Sequence, residues 1–345
     1  MTEVRIGNRW VGDGHPVFIT AEVGSNHDQD LGKALRLIDA AAEAGVDAVK
    51  FQTFRASSHY SRRTPGFTYL DGQDTYALIE SLELDRSWQP RLLEHATGHG
   101  IEFFSSPCDV DALLELDALG VPTHKVASFD LPDTGLVGAM ARTGKPIVLS
   151  TGMATWMDIQ LALDAMAAEG NDQAILLQCT SLYPAPAQLA NLRAMASMRS
   201  AFGTLVGYSD HTLGDQVCIA AVALGACFIE KHFTLDRSAA GPDHPFAMEP
   251  AELTAMVRRL RDVEACMGDG RKAGPRPEER EMADKGRRSL HAAVDIPAGA
   301  VIEDSMLVVK RPGLGIAPSL RPHVVGRHAA RVIERDEWIT WESLQ

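Results

Sequence analysis

No run of about 18 consecutive apolar residues occurs anywhere in the 345-residue sequence, so a membrane-spanning helix is not expected. The first ten residues, MTEVRIGNRW, lack the apolar segment of a secretory leader, and a cytoplasmic location is the expectation. Cysteine is sparse: Cys108, Cys179, Cys218, Cys227 and Cys266 are odd in number, widely spaced and without a CxxC pair. That usage speaks against a disulfide framework or a zinc ribbon and fits a reducing compartment. Basic charge is in deficit, with 33 Lys and Arg against 46 Asp and Glu and a formal net charge of −13. No basic stretch offsets this, so neither nucleic acid nor an anionic membrane is an expected partner, and an anionic substrate must be held by a few placed cations. A glycine fingerprint for dinucleotides is also missing, because the first long apolar segment, 17–23, is followed by GSNHDQD.

What is present is 45% hydrophobic and 23% charged residues, an ordinary soluble composition in a chain longer than one average domain. Residues 4–11 alternate around Gly7 and Asn8, which predicts a small hairpin. Strand and helix then alternate. Predicted strands lie at 17–23, 46–51, 101–105, 123–128, 146–150, 174–179, 204–208 and 226–229, with helices between them and a last helix over 250–267. Eight such units in about 250 residues are the arithmetic of an α/β (β/α)8 TIM barrel, with a doubly wound open sheet as runner-up. The polar excursion 53–83 is long enough to be a functional loop. Residues 268–287 are charged and rich in Gly and Pro, which reads as a linker between a barrel of 1–267 and a small β-rich domain of 288–345. A domain that short is expected to have little core of its own and to pack on a partner surface.

The chemistry concentrates at 207–245. A short strand ends in Ser209, Asp210 and His211, a helix of small residues follows, and a second strand ends in Glu230, Lys231 and His232. Two strands joined by one helix are parallel neighbours, so both clusters leave the sheet at its carboxyl edge. Adjacent strand ends lie roughly 5 Å apart, which makes His211 and His232 candidate ligands of one metal ion. The plainer alternative is two histidines near a loop surface.

Polar residues recur at the carboxyl ends of the other predicted strands, where a barrel builds its active site. They include Glu22, Lys50, Ser106, Lys125, Ser128, Asp130, Ser150, Ser181 and Tyr183. Lys50 in DAVKFQ and Lys125 in HKVASF sit inside apolar runs, where an unpaired lysine costs several kcal/mol. Together with Ser150, Ser209 and backbone amides they can cradle a carboxylate and a phosphate. A Schiff-base lysine is the alternative.

The segments AEVGSNHDQD, AGVDAVKFQTF, FSSPCD, KVASFD, KPIVLSTGMA, LLQCTSLYPAP, GYSDHTLG, GACFIEKHFTLDR, GPDH and VVKRPGLGI span residues 18–316. In this order they resemble the sialic acid (N-acetylneuraminate) synthase family, which includes pseudaminic and legionaminic acid synthases and similar spore coat polysaccharide proteins. The tail is similar to the family's SAF (antifreeze-like, β-clip) domain. The resemblance implies a transferase that condenses phosphoenolpyruvate with an open-chain N-acylated amino sugar, giving a nine-carbon 2-keto-3-deoxy acid and phosphate. It implies a divalent cation, manganese or alternatively magnesium or cobalt, on His211 and His232. Lys50, Lys125, Ser150 and Ser209 would hold phosphoenolpyruvate, Glu22 would stand near the reacting carbons, and Glu230, Tyr183 and Asp243 would orient the sugar. It further implies a domain-swapped homodimer, with Arg311 of the tail reaching the acyl group. Two departures bear on the sugar: Asp130 stands where neuraminate synthases have glutamate, and Ser181 where they have asparagine. A synthase acting on a different aldose and a lysine-dependent aldolase are the alternatives. A sugar-binding protein with a silent barrel is disfavoured by the intact Glu22, Lys50, Lys125, His211 and His232.

Overall fold

The computed structural model describes residues 2–66 and 74–345. By internal contacts the chain divides into two compact units, 1–268 and 269–345.

Two short strands open the first unit, β1 (Glu3–Ile6) and β2 (Arg9–Gly12), paired antiparallel as the alternation around Gly7 and Asn8 predicts. Gly7 has φ +56, and a Cβ there would overlap the Glu102 carboxylate, which instead accepts from the Asn8 N–H at 3.0 Å. Eight parallel strands follow: β3 (Phe18–Gly24), β4 (Ala48–Thr53), β5 (Glu102–Pro107), β6 (His124–Val126), β7 (Ile147–Ser150), β8 (Ala174–Cys179), β9 (Leu205–Asp210) and β10 (Phe228–His232). Their ladder runs β5-β4-β3-β10-β9-β8-β7-β6, and its two ends, β5 and β6, lie against each other, which closes a TIM barrel. Aspartates cap several of the surrounding helices: Asp30, Asp109 and Asp133 each accept the backbone N–H three residues on. Gly45, with φ +84, stops the first helix, Leu31–Glu43, as expected.

Period-two alternation explains where chemistry can sit. On β3, Ile19, Ala21 and Val23 join the large core between sheet and helices, while Phe18, Thr20 and Glu22 share the opposite, inner face. The first inner residues of the strands, among them Phe18, Ala48, Leu205 and Phe228, pack with Val4, Ile6 and Val11 of the hairpin. The hairpin thus seals the amino end of the barrel with apolar side chains. Moving up each inner face, the residues turn polar, so the carboxyl half is left for a site.

The excursion at 53–83 holds two helices, Ala56–His59 and Thr75–Ser81, and its residues 67–73 lie outside the described residues.

In the second unit the composition misleads at two points. The Gly- and Pro-rich stretch after Met267 is not irregular throughout, since Arg280–Gly286 is helical, with helix formers and a Glu281–Lys285 pair at i,i+4. The tail also has a core of its own: Leu290, Ile296, Ile302, Ile316, Val324, Ile333 and Ile339 are buried together. It is built on one antiparallel pair, β11 (Ser289–Ala292) with β12 (Leu307–Lys310), and on isolated bridges such as Ile296 with Ile333. Within this domain, expected to be β-rich, the runs AARVI (329–333) and WITWE (338–342) contribute bridges and turns rather than strands.

Candidate active site

The ladder registers bring the inner residues together. Glu22 on β3 is flanked by Lys50 on β4 and His232 on β10, and Glu230 on β10 lies beside Ser209 on β9. Lys50 Nζ is 2.8 Å from Glu22 Oε2, 3.8 Å from Glu230 Oε1 and 3.4 Å from Ser106 Oγ. Lys50, expected to hold phosphoenolpyruvate, is therefore already paired with two carboxylates. Burial pulls its ammonium down, but Glu22 and Glu230 outweigh that and raise it.

The two carboxyls move in opposite directions. Burial, opposed by Lys50 and aided by the charge of Glu230, raises Glu22. Glu230 is also pushed up by burial, yet Lys125 and Lys50 hold it below its ordinary value. Gln52 donates to Glu22 Oε1 at 2.7 Å and Ser209 Oγ donates to Glu230 Oε1 at 3.0 Å, so Ser209 is engaged with Glu230. Two neighbouring carboxyls with separated affinities suit one proton carrier and one fixed anion.

Lys125 differs. Its Nζ donates to Ser150 Oγ at 2.7 Å and to the Val126 carbonyl at 2.8 Å, and no carboxylate of the described residues lies within ion-pair distance. Burial, the dominant cause, lowers its ammonium. A buried cation with neutral partners is a receptor for an anion.

His211 and His232 stand side by side, ring centroids 5.3 Å apart, with Tyr183 4.4 Å from His211 and Phe246 4.9 Å from His232. The Thr180 carbonyl, 2.8 Å from His211 Nδ1, can only accept, so Nδ1 carries a hydrogen and Nε2 is turned to the site. His232 Nδ1 is buried with no hydrogen-bond partner among the described residues, and Asp243 Oδ2 lies 3.8 Å from it. Burial, with the positive surroundings of His211 and Lys50, keeps His232 neutral to well below its usual range. An orphaned neutral imidazole beside a second imidazole and a carboxylate fits a divalent cation. Asp210, read as the carboxylate beside His211, is turned to the other face of β9. It pairs there with Lys231 at 2.6 Å, because successive side chains on a strand point to opposite sides.

Toward the rim, Ser128 Oγ accepts from the Gly152 N–H at 3.0 Å. A Cβ at Gly152 would lie 2.3 Å from Ser181 Oγ and 2.8 Å from Ser128 Oγ, so only glycine lets the two serines approach. Asp130 lies 3.8 Å from His59 Nε2, and burial raises its carboxyl. His59, Cys108 and Asp130 present ligating atoms within 4.8 Å of one another. Arg311 belongs to the second unit, where its Nε donates to the Gly286 carbonyl at 2.7 Å.

Sequence reasoning passed over Cys179, whose Sγ is 3.8 Å from His211 Nδ1, and Phe246, His59 and Gly152. Cys179 was legible only as the last residue of a strand. Gly152 sits in a turn, and His59 and Phe246 in one-turn helices too short for a periodicity to tell which side chain turns inward.

Residues 37–272 match the NeuB family and residues 287–345 the SAF domain. The N,N'-diacetyllegionaminic acid synthase of Campylobacter jejuni is 38% identical, covering 93% of this chain and 98% of that protein. The pseudaminic acid synthase of Helicobacter pylori is 33% identical, covering 96% and 98%. The crystal structure of the N-acetylneuraminic acid synthetase of Leptospira borgpetersenii, in complex with citrate, superposes with a TM-score of 0.74 at 35% identity, covering 81% of this chain and 94% of that one. With its TIM barrel and terminal SAF domain, the chain belongs to the NeuB family.

Proposed function

We propose that this barrel is a nonulosonic acid synthase, condensing phosphoenolpyruvate with an open-chain N-acylated amino sugar and releasing phosphate by C–O cleavage. The observation that carries this is Lys125: buried, with no carboxylate of the described residues within ion-pair distance, in the same barrel sheet that carries two imidazoles suited to a cation at its carboxyl edge. The names borne by the relatives support the product class.

Lys125, Ser150 and the Lys50 cluster receive the anionic groups of phosphoenolpyruvate. C3 of the enol attacks the sugar aldehyde and forms the new C–C bond, which leaves positive charge at C2. Water adds at C2, and Glu22, whose affinity for a proton is raised, takes one of that water's protons and passes it to the alkoxide formed from the aldehyde oxygen. The tetrahedral centre then expels phosphate, which carries off the second proton as the C2 carbonyl forms. Glu230, Tyr183 and Asp243 orient the sugar, and Ser128, Ser181 and Asp130 line its far end. His211 and His232 would hold manganese, magnesium or cobalt, which when bound supplies Lewis acidity toward the aldehyde oxygen. The shorter Asp130 carboxylate and Ser181 favour a 6-deoxy diacetamido sugar over N-acetylmannosamine.

A homodimer is part of this proposal. Phe129, Met153, Met157, Leu182 and Leu213 are exposed on segments that leave the carboxyl ends of β6 to β9, an apolar rim that a partner's SAF domain would cover. Among the described residues no helix is long and apolar enough to cross a membrane.

Phosphate release from phosphoenolpyruvate, measured against N-acetylmannosamine, the two diacetamido-trideoxy hexoses and phosphorylated pentoses, tests reaction and acceptor together. Turnover with a diacetamido sugar, lost on chelation and restored by manganese, is expected. Full activity after exhaustive chelation would remove the metal from the mechanism. The lowered Lys125 also suits a Schiff base. Borohydride trapping with pyruvate separates the two, since only an aldolase would be labelled.

A further inference from the structure

The outer helical layer carries ligating side chains that the barrel chemistry does not use. His95 lies in the last turn of helix Gln89–Gly98, His99 is its C-cap, and Asp39 belongs to the packed neighbour Leu31–Glu43. Asp39 Oδ1 is 2.6 Å from His95 Nε2 and 2.9 Å from His99 Nε2, and the two rings are 4.9 Å apart. Spacing at i,i+4 puts both imidazoles on one face of the helix, the arrangement by which helical histidine pairs hold metals.

We propose that Asp39, His95 and His99 form a facial binding site for a divalent transition metal on the outside of the barrel. Metal bonds of about 2.1 Å set neighbouring ligand atoms about 3.0 Å apart in an octahedron and about 3.4 Å apart in a tetrahedron. The two separations from Asp39 Oδ1, 2.6 Å and 2.9 Å, lie nearer the octahedral than the tetrahedral spacing. Two imidazoles with one carboxylate select nickel, cobalt or zinc over magnesium or calcium. His95 and His99 also line a cavity of about 390 Å³, together with Arg91, Glu94 and Gly98, which has room for bound water. The ligands are 31% to 41% exposed, so an ion reaches them without unfolding. Barrel helices run opposite to their strands, so a helix C-terminus lies at the amino face, away from the mouth. The site is thus independent of His211 and His232.

Equilibrium dialysis of the chelator-stripped full chain against Ni²⁺, followed by metal analysis, tests the site. His95→Ala/His99→Ala is expected to bind about one ion fewer per chain than the unaltered protein, with unchanged phosphate release. Asp39→Asn, which keeps the shape, is expected to weaken this ion by about 10-fold or more. His211→Ala/His232→Ala is expected to retain it, and if that variant also keeps the total ion count, the error lies in the metal assignment at the mouth. An equal ion count in the unaltered protein and in His95→Ala/His99→Ala overturns the proposal and leaves Asp39 as a hydrogen-bond acceptor alone.

Discussion

Lys50 Nζ lies 2.8 Å from Glu22 Oε2, and the two residues are register partners on adjacent parallel strands. Glu22 and Lys50 are 1% and 3% exposed, so each is the other's main compensation for lost water. Lys50→Met should therefore destabilise the barrel by about 3–5 kcal/mol, the cost of leaving a buried charge unpaired. Urea unfolding measures this, and adding Glu22→Gln should recover part of the loss. A midpoint shift worth less than about 0.5 kcal/mol would show that solvent compensates the pair.

Lys125 should behave differently. Its partners are neutral, and burial holds its ammonium below the ordinary lysine value. Because its own burial cost is offset by the charge it lends to Glu230, Lys125→Met is expected to change stability by less than Lys50→Met does, while reducing kcat/KM for phosphoenolpyruvate by about 100-fold or more. The pH dependence has a definite sign. Between the lowered folded value and the unfolded value near 10.4 the unfolded chain holds the extra proton, so the stability of the unaltered protein rises with pH relative to Lys125→Met. A variant as destabilised as Lys50→Met at pH 7 would assign Lys125 a structural role.

Gly152→Ala places a methyl against Ser181 Oγ and Ser128 Oγ. Displacement of the rim serines should cost roughly 10- to 100-fold in kcat/KM for the acceptor, with circular dichroism unchanged. Unaltered kinetics would place both serines outside the acceptor site.

Shared sites predict complementation. Arg311→Ala and Lys125→Ala, mixed and allowed to exchange subunits, should show activity above the sum of the two parents, because each heterodimer regains one site with both residues. Mass spectrometry checks the exchange. Exchange without recovery would mean that each tail serves its own barrel or none.

Much of the barrel was legible in the sequence because its signals are local. Apolar runs of strand length, separated by helical segments with Asp caps and Gly stops, recur eight times, and such alternation is compatible with few architectures. Polar residues at the strand ends marked Glu22, Lys50, Lys125, His211 and His232, all of which share the inner, carboxyl side. The second unit was less legible beyond β11 and β12, since much of it is made of bridges and turns without a period.

Partner choice was decided only by tertiary structure. A two-residue period says which face a side chain takes but not what lies across from it, which depends on ladder register and on barrel closure. Lys50 was visible as a buried cation, yet its pairing with Glu22 and Glu230, while Lys125 keeps neutral partners, follows from the order β4-β3-β10. Asp210 looked like a neighbour of His211, but the pleat turned it outward to Lys231. Asp39 and His95 are 56 residues apart, and only the packing of two helices brings their side chains within 2.6 Å. Composition and spacing thus determined the scaffold and the edge where chemistry sits, whereas the pairings that tune each charge arise from contacts between residues distant in the chain.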